Sequence, residues 1–177
     1  MTLIDIEEVV LLDDEGRAIG RAPKSSVHGA DTARHLAFSC HVFNERDELL
    51  VTRRALSKQT WPGVWTNSFC GHPKPAEALP HAVHRRADFE LGLELDAIDL
   101  ALPLFRYRAT DASGTVENEV CPVYIARTSG DPDPNPREVA EFRWVEPRAL
   151  ATAVEAAPWA FSPWLVLQAR ELELFRS

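Results

Sequence analysis

A chain of 177 residues with 45% hydrophobic and 26% charged side chains carries enough apolar material to bury a core without staples. Its formal net charge of −8 excludes the broad basic surface that nucleic acids require, yet leaves room for a small basic pocket for one phosphorylated metabolite. Cys40, Cys70 and Cys121 form no closed disulfide framework, MTLIDIEEVVLL lacks a basic leader, and no apolar run approaches the ~18 residues of a membrane span, so a reduced cytoplasmic protein is expected.

The stretch EEVVLLDDEGRAIGRAPK reads as strand, turn at Asp13 to Gly16 and second strand: an N-terminal hairpin within residues 1–24, at the periphery of one domain spanning 1–177. Leu36 to Phe43, the polar turn Asn44 to Asp47 and Leu49 to Arg53 repeat that pattern, and Pro62-Gly63 then breaks it. PAEALPHAVHRRADFELGL predicts a helix. Pro80 suits its first turn, Gly92 the position just past its end, and Val83, Ala87 and Leu91 repeat every four residues. Strands are expected at Ala101 to Ala109 and Val116 to Ala126 around the turn TDASG, and SGDPDPNP is a loop. Phe142 to Val145 reads as a last strand, Pro147 to Ala156 as a helix, and Ser162 to Phe175 as a final helix carrying Trp164, Leu165, Gln168 and Leu172 on one side. Strands mixed with a few helices give a mixed α/β domain.

Four clusters could carry chemistry. His28 and His35 stand seven apart, whereas His41 sits inside an apolar run and reads as a core residue. In Cys70-Gly71-His72 an extended backbone puts Cys70 and His72 on one face, and Gly71 admits a close neighbour; a buried thiol beside a structural histidine is the bland alternative. In TVENEVCPVY a strand places Glu117, Glu119 and Cys121 on one face; two carboxylates on a solvated face are common, but on an interior face a cation would compensate them. Arg86 and Glu90, four apart on the helix, read as a surface ion pair worth a few tenths of a kcal/mol (about 0.3). Histidines with carboxylates suit a Mn, Fe or Zn ion, and carboxylates with basic residues suit magnesium on a phosphorylated ligand. Taken together, with the basic set Lys24, Arg53, Arg54 and Lys58, they suggest a metal-dependent enzyme acting on a small phosphate ester.

The spacing G-x5-E-x7-R, here Gly71, Glu77 and Arg85, resembles the Nudix box, a loop–helix–loop that binds Mg-diphosphate. Where that pattern continues with acids, this chain has Arg86 and Phe89, and only Glu90 remains. An arginine there suits holding a diphosphate better than cutting it. The longer stretches WPGVWTNSFCGHP, FRYRATDASGTVENEVCPVY and PWAFSPW are similar to the type I isopentenyl-diphosphate isomerases, Nudix-fold enzymes that do not hydrolyse their substrate; the likeness runs from about Lys24 to Trp164.

The resemblance implies an α+β fold, a mixed sheet sandwiched by helices, and a 1,3-allylic proton shift between isopentenyl and dimethylallyl diphosphate in isoprenoid biosynthesis. It implies a Mn2+ or Zn2+ site at His28, His35, His72, Glu117 and Glu119, and a Mg2+ site formed with the diphosphate by Glu90 and the Cys70 carbonyl. It further implies diphosphate binding by Lys24, Arg54, Lys58 and Arg86, proton transfer by Cys70 and Glu119, a helper hydroxyl on Tyr107 and an aromatic wall at Trp164. The expected partner is a small allylic or homoallylic diphosphate, with no nucleic acid or membrane, and the expected state a monomer.

That chemistry needs an acid and a base at the two ends of an alkene, each within hydrogen-bond reach of its carbon. It also needs an aromatic face for a tertiary carbocation and a dry pocket to protect that cation. Trp61, Trp65 and Trp159 are expected to be core packing instead. Two other readings remain: a Nudix pyrophosphohydrolase, and a non-catalytic module using the His/Glu set structurally.

Overall fold

The structure, a computed structural model, describes residues 7–176. The N-terminal segments Glu8–Leu12 (β1) and Ala18–Pro23 (β2) pair antiparallel, and Pro23 then starts a short helical turn, Lys24–Val27 (α1). Next come β3 (His35–Leu36), β4 (Phe38–Phe43) and β5 (Leu49–Arg54). The turn between β4 and β5 is closed by the Asn44 side chain, whose Oδ1 accepts from the backbone N–H of Arg46 (2.9 Å) and Glu48 (3.0 Å). Two short strands, β6 (Trp65–Thr66) and β7 (Phe69–Gly71), lead to helix α2 (Leu79–Leu91). The expected helix is therefore present, with proline in its first turn and Gly92 closing it in the left-handed conformation at φ 60°.

Strands β8 (Ala97–Leu102), β9 (Arg106–Thr110), β10 (Val116–Val120), β11 (Val123–Arg127) and β12 (Val139–Val145) follow, then α3 (Pro147–Ala156) and α4 (Pro163–Glu171). Two expected strands are each split. Ala101 to Ala109 breaks at Pro103 into β8 and β9, and Val116 to Ala126 breaks at Cys121-Pro122 into β10 and β11, because proline cannot donate to a ladder. Cys121 consequently leaves the strand carrying Glu117 and Glu119. The last strand begins at Val139, earlier than Phe142, and the final helix stops at Glu171; Leu172 turns extended before a 3-10 turn at Glu173–Phe175.

The strands build a five-stranded sheet, β2-β1-β3-β10-β9, and a seven-stranded sheet, β12-β5-β4-β11-β8, with β6 on β5 and β7 on β4. Two parallel neighbours change sheets together: β3 runs into β4 through Ala37, and β10 into β11 through Cys121-Pro122. Ala37 N donates to the Val120 carbonyl (2.9 Å) and Ser39 N to the Pro122 carbonyl (3.1 Å), which carries the pairing across the step. The N-terminal hairpin is not detached, since Leu11 of β1 pairs with His35.

Strand β4 is buried on both sides. Alternation sends Phe38, Cys40 and Val42 to one core beneath α2, with Phe69, Val83, Ala87 and Leu91, and sends Phe43 to a second core with Leu150, Val154, Trp164 and Leu165 of α3 and α4. His41, on the second side, is a fully buried core histidine whose Nε2 is bonded to Gln168 Oε1 at 2.9 Å, while its Nδ1 has no partner. Among the described residues no helix is long and apolar enough to cross a membrane.

Candidate active site

Strand register assembles the centre of the site. Glu119 on β10 lies directly between His35 on β3 and Tyr107 on β9, so three adjacent strands present these side chains side by side. On the other sheet Cys70 of β7 lies opposite Ser39 of β4, and the chain leaving β7 carries His72. The bridge between Gly29 and Val116 brings His28 alongside. A cavity of about 580 Å³ opens here, lined by His28, Cys70, His72, Tyr107, Glu117, Glu119 and Trp164 and by the basic groups Lys24, Arg54, Lys58 and Arg86.

Three imidazoles and a carboxylate form the densest cluster: one ligand atom each from His28, His35, His72 and Glu119 falls within 4.8 Å of the others. Glu119 Oε1 is 3.1 Å from His72 Nε2 and 3.5 Å from His35 Nε2, while Glu117 Oε2 is 2.9 Å from His28 Nε2. Despite this crowding, His28 Nε2, His35 Nε2, His72 Nδ1 and Glu117 Oε2 are buried without a hydrogen-bond partner. His35 donates from Nδ1 to the Ala33 carbonyl (2.9 Å), which turns its Nε2 toward Glu119; burial opposes charge on this ring, but the facing carboxylate outweighs it and holds the imidazole above its ordinary value. Burial pulls the His72 imidazole down to about 4, the neutral form that binds metals. Three imidazoles and the Glu119 carboxylate drawn within 4.8 Å of one another, with Glu117 Oε2 against His28, fit a divalent cation.

Glu119 makes a further bond. Its Oε2 accepts from Tyr107 O–H at 3.0 Å, so both carboxylate oxygens are held. Burial works against its charge, but the two histidines outweigh it and keep the carboxyl well below the usual range. Burial pushes the Cys70 thiol the other way, up to about 11, despite hydrogen bonds to Ser39 and Asn67. One member of this pair thus carries a proton and the other a lone pair.

Trp164 is buried, lines the cavity, and packs against Tyr107 (5.7 Å) and Trp61 (5.5 Å). The Arg54 guanidinium lies 5.2 Å above its ring, so this face already accommodates a cation. Trp65 is partly buried against the same core, whereas Trp159, expected inside, is 84% exposed on the 3-10 turn before α4.

Three of the four basic groups are matched by a carboxylate, whereas Arg54 donates to the Thr60 carbonyl (2.7 Å) and the Trp61 carbonyl (3.1 Å). Lys24 pairs with Glu7 (2.8 Å), Lys58 with Glu138, and Arg86 with Glu90 and, at 3.5 Å, with Glu138. The Arg86–Glu90 pair is buried, not a surface pair, because the Val83-Ala87-Leu91 stripe of α2 is wide enough to take the adjoining positions in with it. Glu90 does not line the cavity; its carboxylate sits behind Arg86, which does. Gly71 makes this possible, since a Cβ there would meet Arg86 Cγ at 2.7 Å and the Phe38 ring at 2.8 Å. Glu138, Arg137, Thr60 and Glu7 also line the cavity and escape sequence reasoning, being set on loops or at a strand edge without periodicity. The only hint is that NPREV places charge directly after a proline-rich loop. Thr60 Oγ1 donates to Glu117 Oε1 at 2.8 Å.

A model of the NUDIX domain matches residues 33–165. The chain is 74% identical over 166 residues to an isopentenyl-diphosphate Delta-isomerase of Agromyces mediolanus, covering 94% of this chain and 81% of that one. Its identity to the enzyme of the same name from Clavibacter michiganensis is 64% (92% and 84% covered), and to that from Brevibacterium linens 61% (95% and 92%). Among solved structures, DR0079 from Deinococcus radiodurans superposes with a TM-score of 0.73 at 23% identity over 94% of this chain and 99% of that one. A MutT protein from Methanosarcina mazei gives 0.60 at 22% identity over 78% and 94%. At such identities the structural likeness speaks for the fold.

Proposed function

The chain belongs to the NUDIX domain family, among its isopentenyl-diphosphate Delta-isomerases, and on that premise we propose that Cys70 and Glu119 are the proton-transfer pair that moves the double bond. The observation carrying this reading is that a thiol from one sheet and a carboxylate from the other line one cavity with Trp164. A proton joins the terminal alkene carbon, whose π pair forms the new C–H bond and leaves a tertiary cation at the branch carbon. Loss of a proton from the neighbouring methylene then returns its C–H pair as the new double bond, giving dimethylallyl diphosphate. One proton is added and one removed, so a pair holding a single proton between its members suffices.

Trp164 supplies the face beside which the cation forms, and Tyr107 O–H holds Glu119 in place. Lys24, Arg54, Lys58 and Arg86 grip the diphosphate at the polar end of the cavity. His28, His35, His72, Glu117 and Glu119 would hold a divalent cation of the Mn or Zn kind. Bound there, it would balance two buried carboxylates and fix the orientation of Glu119. Glu90, whose Oε1 is bonded to Arg86, and the Cys70 carbonyl would hold the magnesium ion that accompanies the diphosphate.

Hydrolysis is disfavoured by the same geometry. Arg86 stands in the cavity wall where an acid would be needed, and Phe89 is half exposed with Arg86 stacked 4.9 Å from its ring. Assaying the protein with isopentenyl diphosphate and, separately, with a nucleotide panel tests the choice: isomer without phosphate release supports this reading, and phosphate or pyrophosphate release without isomer refutes it.

A further inference from the structure

We propose that Ser39, Asn67 and Gln168 are positioning residues that fix the Cys70 thiol relative to Trp164 by tying both to helix α4. This rests on the reading of Cys70 as a proton-transfer group. Two arms of hydrogen bonds converge on the sulfur. In the first, Cys70 Sγ donates to Asn67 Oδ1 (3.3 Å), and the same oxygen accepts from Trp164 Nε1–H (3.0 Å). Asn67 is itself pinned, its Nδ2 donating to the carbonyls of Cys40 (3.0 Å) and Phe69 (2.7 Å).

In the second arm Ser39 Oγ lies 3.3 Å from Cys70 Sγ and receives Gln168 Nε2–H at 2.9 Å. Gln168 Oε1 accepts from His41 Nε2–H at 2.9 Å. The two ends of the amide differ, so the donors run one way, from His41 through Gln168 to Ser39. The Ser39 hydroxyl proton then remains for a sulfur, either that of Cys70 or that of Cys121 at 3.4 Å. Burial draws His41 down to about 4, which keeps its ring neutral and Nε2–H available as the first donor.

Ser39, Asn67, Gln168 and His41 are wholly buried, a cost that these hydrogen bonds offset, although His41 Nδ1, which faces away from the chain of bonds, has no partner. Trp164 and Gln168 are four apart on α4 and share one face, so one helix anchors both arms. A network needed only to dock the helix would not require both arms to meet on one cavity-facing sulfur. Placement matters because proton transfer to carbon tolerates little error: a shift of about 1 Å costs on the order of 10²-fold in rate.

Steady-state kinetics with isopentenyl diphosphate on Ser39→Ala, Ser39→Thr and Gln168→Met, beside wild type and Cys70→Ala, test this. Rates are corrected for the folded fraction at the assay temperature from circular-dichroism melts. Ser39→Ala and Gln168→Met should lower kcat at least about tenfold with KM within about twofold, because the diphosphate-binding groups are untouched. Ser39→Thr, which keeps the hydroxyl, should recover most of the loss. If Gln168→Met melts below the assay temperature, the two serine variants decide. Equal kcat in Ser39→Ala and wild type, with Cys70→Ala inactive, would overturn the positioning role; an active Cys70→Ala would overturn the underlying reading instead.

Discussion

Cys70 and Glu119 owe their readiness to opposite environments. Burial, reinforced by the charge of Glu119, leaves the thiol its proton, at about 11, while two imidazoles hold the carboxyl ionised. Removing either breaks the pair, so Cys70→Ala and Glu119→Gln should each lower kcat by on the order of 10²–10⁴ with the fold intact, measured by product formation beside a melting curve. The tryptophans separate by the same logic. On the role proposed for Trp164, Trp164→Leu should lower kcat roughly 30-fold, the equivalent of about 2 kcal/mol of desolvated cation–π interaction. Trp159→Ser touches an exposed ring and should leave kcat and stability within error. Ring type carries no information about which side of a turn a tryptophan lands on, so nothing in the sequence separates Trp159 from the core tryptophans.

At the scale of elements, β7 and α2 are fitted to each other through Gly71. Gly71→Ala would drive a methyl into the Phe38 ring and the Arg86 stem, with an overpacking cost of about 1–3 kcal/mol. Thermal melts should show that loss, and KM should rise because Arg86 is displaced from the cavity wall. The start of α2 is held by Glu77, which accepts from Arg85 Nε (2.8 Å) and from the Lys74 backbone N–H (2.8 Å). The Arg85 hydrogen bond holds the Glu77 carboxyl below its ordinary 4.5. A depressed folded value means stability present above about pH 4.5 and lost as pH falls through the lower value. The Tm gap between wild type and Glu77→Gln should therefore be present at pH 7 and close on acidification toward pH 3.

Helix α2 and the β4–β5 hairpin were legible because periodicity, breakers and turn formers coincide there. The breaks at Pro103 and Pro122 were not: strands that leave one sheet for another keep their apolar character, and only the pairing reveals the step. The His, Glu and Cys positions could be read from a likeness of motifs. The bonds from Asn67 and Gln168 to the site could not, because each joins segments nearly a hundred residues or more apart: Asn67 to Trp164, and Gln168 to Ser39.

Across the whole molecule, two hydrophobic cores flank the seven-stranded sheet, and the histidine cluster lies at the step between sheets. Chelation of metal should therefore abolish turnover while leaving a cooperative melt lowered by several degrees; unfolding on chelation would instead favour a purely structural ion. A proton shift without hydrolysis is best distinguished in deuterated water. Incubation with isopentenyl diphosphate, Mg2+ and Mn2+ should yield dimethylallyl diphosphate carrying deuterium, seen by mass spectrometry, with none formed by Cys70→Ala. Isomer free of deuterium, or release of inorganic phosphate in place of isomer, would contradict it.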